Sequence, residues 1–264
     1  MNNGVVASFL IALLLVLVPL VEAQQSKKMP RIGVLRSDTP AASAKRSEAF
    51  RQSLKDLSYV EGKNIAFEHR WAEGKIDRLP ALAAELVFLG VDVIVVSNTP
   101  GIQAAKNATN AIPIVFVGLG TDPVEIGFVA SLARPGGNIT GVGSGGPELY
   151  GKRLELPKEA VPRLVSVLYL RNPDNPASRL TQEEISAAGR VLGLQIQTFE
   201  VRKADELDTA FQVATRARSG GLIVAQTPPI NTEINRVVGL AAKNRLPAIY
   251  ADANWVDAGG FMTG

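Results

Sequence analysis

The sequence has no cysteine and a single histidine, His69, among its 264 residues. The missing cysteine excludes disulfides, a thiolate nucleophile, thiolate-bound zinc and a lipid-modified cysteine anchor. One histidine leaves little from which to build a His-based metal site or a Ser-His-Asp triad. That histidine lies in an alternating stretch, Ile65, Phe67 and Trp71 against Ala66, Glu68 and Arg70. A structural place on a strand is therefore a simpler reading than a ligand role. Charge of one sign is also scarce. The formal net charge is +3, from 28 basic and 25 acidic residues, and no Lys/Arg block stands out. No nucleic-acid partner is expected.

Long apolar runs are confined to the N-terminus. Val5 to Leu20 is almost wholly apolar, and Val21-Glu22-Ala23 places small residues before Gln24. This pattern reads as a signal peptide over residues 1–23, cleaved after Ala23. An uncleaved anchor is the alternative, although the run is short for a spanning helix. An exported, cysteine-free chain fits a periplasmic location.

The rest of the chain alternates short apolar strands with amphipathic helices. Arg31 to Leu35, Val91 to Val96 and Ile112 to Val117 read as strands. Ser43 to Leu57, Arg78 to Leu89, Pro100 to Asn107 and Pro123 to Ala133 read as helices. After Gly136-Gly137 the alternation starts again with Leu164 to Leu170 and runs to Ala251. The expected fold is therefore α/β, with two Rossmann-like lobes of parallel sheet joined by a hinge. The expected division is 30–140 for the N-terminal lobe, 141–258 for the C-terminal lobe, and 259–264 for the start of a return crossover.

The strand ends share a phrase: a polar capping residue, then proline. It appears as Asp38-Thr39-Pro40, Asn98-Thr99-Pro100, Asp122-Pro123, Asn175-Pro176 and Thr227-Pro228. Helix capping explains part of each case. The same loops also fall at the carboxyl ends of parallel strands, where open α/β sheets bind ligands. Two lobes facing each other across such loops would make a polar cleft for a small polar or zwitterionic ligand, closed by hinge motion. No catalytic or metal-binding set and no cofactor site stands out. A competing signal is Gly141, Gly143 and Gly146, which fit the dinucleotide fingerprint G-x-G-x-x-G. The polar Pro135 to Thr140 stretch before them is unlike a fingerprint strand, and no acid stands at the end of the next strand. Conformational freedom at a hinge is the preferred reading of these glycines.

Several stretches together carry a specific resemblance: PRIGVL, EGKNIAFEHRWAEGKIDRLPALAAELV, IPIVFVGLGTDPVEIGFVASLARPGGNITGV, GKRLELPKEAVP and NRLPAIYADANWVDAGGFMTG. From about Pro30 to the last residue the chain resembles the ABC transporter substrate-binding protein family with the type 1 periplasmic-binding fold. Tryptophan- and phenylalanine-binding proteins belong to that family. The resemblance implies a small-molecule ligand between the lobes and delivery to a membrane permease with its ATPase subunit. The membrane would then be met only through the permease. It places Ser37 and Asp38, Thr99 and Pro100, and Thr121 and Asp122 on the first wall of the cleft. Asp122 is the expected partner of a ligand ammonium. Asn172, Asn175, Ser178, Thr227 and Asp252 fall on the second wall. In the family the GGFMTG stretch normally continues back into the first lobe, so the closing segment is expected to be missing here, leaving an exposed apolar edge. The second proline of Thr227-Pro228-Pro229 departs from the family loop, so ligand identity does not carry over. An exported ligand sensor and a Rossmann-type nucleotide enzyme remain the alternatives.

Overall fold

A computed structural model describes residues 29–143, 148–250 and 253–263. Its chain runs β1 Arg31–Arg36, α1 Pro40–Asp56, β2 Ala66–Trp71, α2 Leu79–Phe88, β3 Val93–Val96, α3 Thr99–Ala108, β4 Ile114–Leu119 and β5 Ile139–Gly143. It continues through α4 Glu148–Ala160, β6 Ser166–Arg171, α5 Ser178–Val191, β7 Gln195–Glu200, α6 Glu206–Arg216 and β8 Gly221–Val224. The last elements are α7 Ile234–Lys243, β9 Ala248–Tyr250, α8 Ala253–Asp257 and β10 Met262–Thr263. The strands form two five-stranded sheets, ordered β2-β1-β3-β4-β5 and β10-β9-β8-β6-β7. Every pairing between named strands is parallel.

In the first sheet, Leu35, Ile94, Val96, Ile114 and Phe116 point to one face. There they meet Leu79, Leu82 and Leu86 of α2 and Ile102 and Ala105 of α3. Burial of such a cluster is the main source of lobe stability. On the opposite face, which carries Val34 and Val95, Phe50 of α1 meets Phe67 of β2 edge-on at 5.9 Å. Val117 and Val142 are partners in register there and remain 48% and 70% exposed. The second sheet is covered on both faces. Leu168, Leu170, Leu222 and Val224 pack against α6, α7 and α8. Val167, Tyr169 and Ile223 pack against Tyr150 and Leu154 of α4 and Ile185 of α5.

Three sequence expectations change. Residues 123–133 form successive turns instead of a helix. Gly127 there has φ +72°, a left-handed conformation that interrupts a right-handed helix. The expected lobe boundary after Thr140 falls inside β5, which pairs with β4 through Gly143. Gly141 and Gly143 are therefore sheet residues. A Cβ on Gly141 would lie 2.1 Å from the Phe116 carbonyl oxygen, so strand spacing alone excludes a side chain. Neither Gly141 nor Gly143 has a positive φ, so neither makes a left-handed hinge turn, and close approach requires glycine at Gly141 alone of the two; Gly146 lies outside the described residues. At the other end, the stretch expected to begin a return crossover places Met262 and Thr263 beside β9 in the second sheet. The expected signal peptide also lies outside the described residues. No helix among the described residues is long and apolar enough to cross a membrane.

Candidate functional site

The carboxyl ends of both sheets open onto one cavity of ≈ 350 Å³. Strand-end loops with capping phrases supply part of its walls, and residues of α1, β2 and β6 supply more. The lobes also touch around it. Lys45 Nζ of the first lobe donates to Asp257 of the second at 2.9 Å. A Cβ on Gly74 would come within 3.1 Å of Thr232 Oγ1, and one on Gly120 within 3.4 Å of Gln226 Oε1.

On the first wall, Asn98 organises two loops at once. It is the N-cap of α3, and its Oδ1 accepts from Gly101 N at 2.9 Å and from Ser37 Oγ at 2.8 Å. One side chain thereby sets the end of β1 against the start of α3. The tight turn needs Gly101, because a Cβ would meet Val96 at 2.6 Å. Arg36 and Asp38 form a fork-to-fork pair, Nε to Oδ1 and Nη2 to Oδ2, each 3.0 Å. Arg46 from α1 adds a third bond to Asp38 at 2.7 Å. The Thr121 hydroxyl is buried and has no partner.

On the second wall, Asn172 is 2% exposed and ties two strand ends together. Its Nδ2 donates to the Pro228 carbonyl at 2.7 Å, while its Oδ1 accepts from Asp174 N at 2.9 Å. Asn175 Oδ1 accepts from Ala177 N at 3.0 Å, and Ser178 Oγ accepts from Arg171 at 3.1 Å. Thr227 is buried with its hydroxyl donating to the Pro228 carbonyl at 3.2 Å. Tyr169 is fully buried, and its phenol oxygen has no partner. Burial holds its pKa well above that of a free tyrosine, so it stays a hydroxyl. Asn231 Oδ1 is likewise buried and unpartnered.

The cavity thus brings together Ser37, Asp38, Thr99, Thr121, Asn172, Asn175, Ser178 and Thr227. Pro100 and Asp122 do not line it. Pro100 is packed into the start of α3. The Asp122 carboxylate turns the other way and accepts from Val124 N at 2.7 Å, capping its own turn. Asp252 lies outside the described residues. Arg46, Tyr169 and Asn231 also line the cavity, although none belongs to a capping phrase. Tyr169 sits in the continuous apolar run of β6 and reads as core; only its oxygen, lacking a partner, gives it away. His69 also lines the cavity, stacked between Phe67 at 5.6 Å and Trp71 at 4.9 Å. Burial, then Arg51, lowers its pKa and keeps it neutral. Among the described residues no three His, Asp or Glu side chains converge as a metal site would require.

Known proteins share this architecture. A tyrosine-binding protein of Clostridioides difficile (strain R20291) is 27% identical over 237 residues, spanning 89% of this chain and 67% of the relative. The crystal structure of an ABC domain in complex with L-Trp from Streptococcus pneumoniae superposes with a TM-score of 0.78 at 25% identity, covering 88% of this chain and 77% of that one. A conserved domain protein from Vibrio cholerae gives a TM-score of 0.80 at 27% identity with the same coverage. Residues 32–263 match the model of the ABC transporter substrate binding proteins. Two parallel-sheet lobes facing a shared cleft and a family match through both of them lead to one conclusion: the chain belongs to the ABC transporter substrate-binding protein family, as the solute-binding component of an ABC importer.

Proposed function

We propose that this chain binds one small carboxylate-bearing solute, of the size of an amino acid, between its lobes and hands it to a membrane permease with its ATPase subunit. It acts outside the cytoplasm after export and performs no chemistry on the solute. One observation carries the reading. Thr121 Oγ1, Tyr169 Oη and Asn231 Oδ1, together with His69 Nδ1, are buried polar atoms without hydrogen-bond partners on residues that line a single cavity, and they come from both lobes. Buried polar groups are nearly always hydrogen-bonded, so unmet ones gathered at one cavity indicate where a bound solute completes the network. A ligand bridging Thr121 and Tyr169 would also hold the lobes together. The relatives that bind tyrosine and L-Trp support the size and the carboxylate of the solute.

A thermal-shift screen of L-amino acids and small organic acids tests this. At a hundredfold excess over Kd a ligand adds about 2.7 kcal/mol of stability. For a protein of this size that raises the melting temperature by roughly 5–10 °C. The expected outcome is such a rise with a few related solutes, recovered unchanged by mass spectrometry. Conversion of the solute, or a screen in which no carboxylate shifts the transition, refutes the proposal.

A further inference from the structure

The first wall of the cleft carries an unbalanced charge. Arg36 is only 8% exposed and spends Nε and Nη2 on Asp38. Arg46, reaching in from the second turn of α1, bonds the same carboxylate. Two guanidiniums therefore face one carboxylate. Arg51 also lines the cavity, but Glu61 at 3.2 Å and Glu48 at 3.9 Å balance it from outside. His69 is neutral there. The described residues of the second wall are uncharged, among them Tyr150, Tyr169, Asn172, Gln226 and Asn231. Asp38 is thus the one carboxylate among the described lining residues, and its oxygens already accept three charged bonds.

A guanidinium surplus in a partly dry cleft is unfavourable until an anion completes it. Arginine suits a carboxylate in particular, because its planar fork matches both oxygens. An ammonium meets the reverse situation: a positive wall and no unsaturated described acid, since Asp122 is turned to its own backbone. The second wall offers a carboxylate-bearing ligand neutral polar contacts at Tyr169 and Asn231 and apolar lining at Pro228 and Ile234.

Building on the carboxylate-solute reading above, we propose that the chain selects its solute by the carboxylate alone, at Arg36 and Arg46, and takes organic acids with an apolar or aromatic body and no ammonium group. The dissection uses matched pairs of probes on the full chain. The pairs are 3-phenylpropionate with L-phenylalanine, 3-(4-hydroxyphenyl)propionate with L-tyrosine, indole-3-propionate with L-tryptophan, and 4-methylpentanoate with L-leucine. Calorimetry is expected to show that the acid of at least one pair binds as tightly as its amino acid or tighter. Its affinity should also fall as sodium chloride is raised, because the contact is ionic and partly exposed. Arg46→Gln, at a half-exposed helix position, should weaken that acid by roughly tenfold or more, the loss of one charge-assisted bond, and Arg46→Lys should restore part of it. An amino acid that binds more than tenfold tighter than its paired acid overturns the inference while leaving the carboxylate-solute reading intact. A salt-independent affinity for the acid in the wild-type protein also overturns it. If no member of any pair binds, the reading and the inference fall together.

Discussion

Tyr169→Phe separates stability from binding, because the two are expected to move in opposite directions. The tyrosine is fully buried in β6, packed among Leu154, Ile185 and Ile223, and its hydroxyl has no partner. An unsatisfied buried hydroxyl costs about 1–3 kcal/mol, whereas the ring's apolar contacts survive in phenylalanine. The small void left by the oxygen offsets part of the gain. We expect the ligand-free variant to be stabilised by about 1 kcal/mol, a rise of roughly 2–4 °C in melting temperature. With solute bound, the hydroxyl regains a partner whose net worth is about 0.5–1.5 kcal/mol. Affinity should then fall roughly three- to tenfold. Urea denaturation of the apo protein gives the first quantity, from a midpoint shift at constant slope. Calorimetry with a solute found in the screen gives the second. A destabilised apo variant would mean that the oxygen is satisfied in solution, and unchanged affinity would mean that it does not meet the solute. Either result refutes the reasoning.

Other consequences can be measured separately. Gly141→Ala places a methyl group against the Phe116 carbonyl and should destabilise the first lobe by about 1–3 kcal/mol in urea. Gly143→Ala, whose Cβ would stand 3.4 Å from the Leu119 carbonyl, should cost far less; equal effects would refute the packing account of these glycines. Asn98→Ala removes the α3 cap and frees Ser37, with an expected loss of about 1–2 kcal/mol and weaker solute binding by calorimetry. Asp122→Asn should leave solute affinity within about twofold, because the carboxylate serves its own turn. Burial, then Glu125 and Glu183, raises the Glu184 pKa to about 7. The folded state then holds this proton more tightly than the unfolded state, so the contribution of Glu184 to stability falls as pH rises from about 4.5 to about 7. Glu184→Gln should therefore gain on the wild type in melting temperature between pH 5 and pH 8, and parallel curves would refute the assignment.

The fold was legible because burial on both sheet faces writes itself as continuous apolar runs. Val167 to Leu170 and Gly221 to Ala225 are such runs, and the helical period between strands is equally plain. The capping phrases located the loops of the cleft for a physical reason: a helix that starts just past a strand needs a polar cap and tolerates proline. The 123–133 stretch misled because its apolar spacing is helical while Gly127 takes a left-handed conformation.

Within the loops, sequence gave the neighbourhood but not the direction of each side chain. Asp122 and Asp38 look alike in sequence, each near a proline at a strand end. One turns back to cap Val124, and the other enters the cleft and is saturated by two arginines. Arg46 comes from a helix, eight residues beyond Asp38, and no strand-end pattern contains it. Tyr169 is hidden for the opposite reason, because a residue that fits the core so well shows its polar atom only when its partners are sought. The charge of the cleft, and with it the class of solute, therefore depends on contacts between elements, which the local pattern of the sequence does not specify.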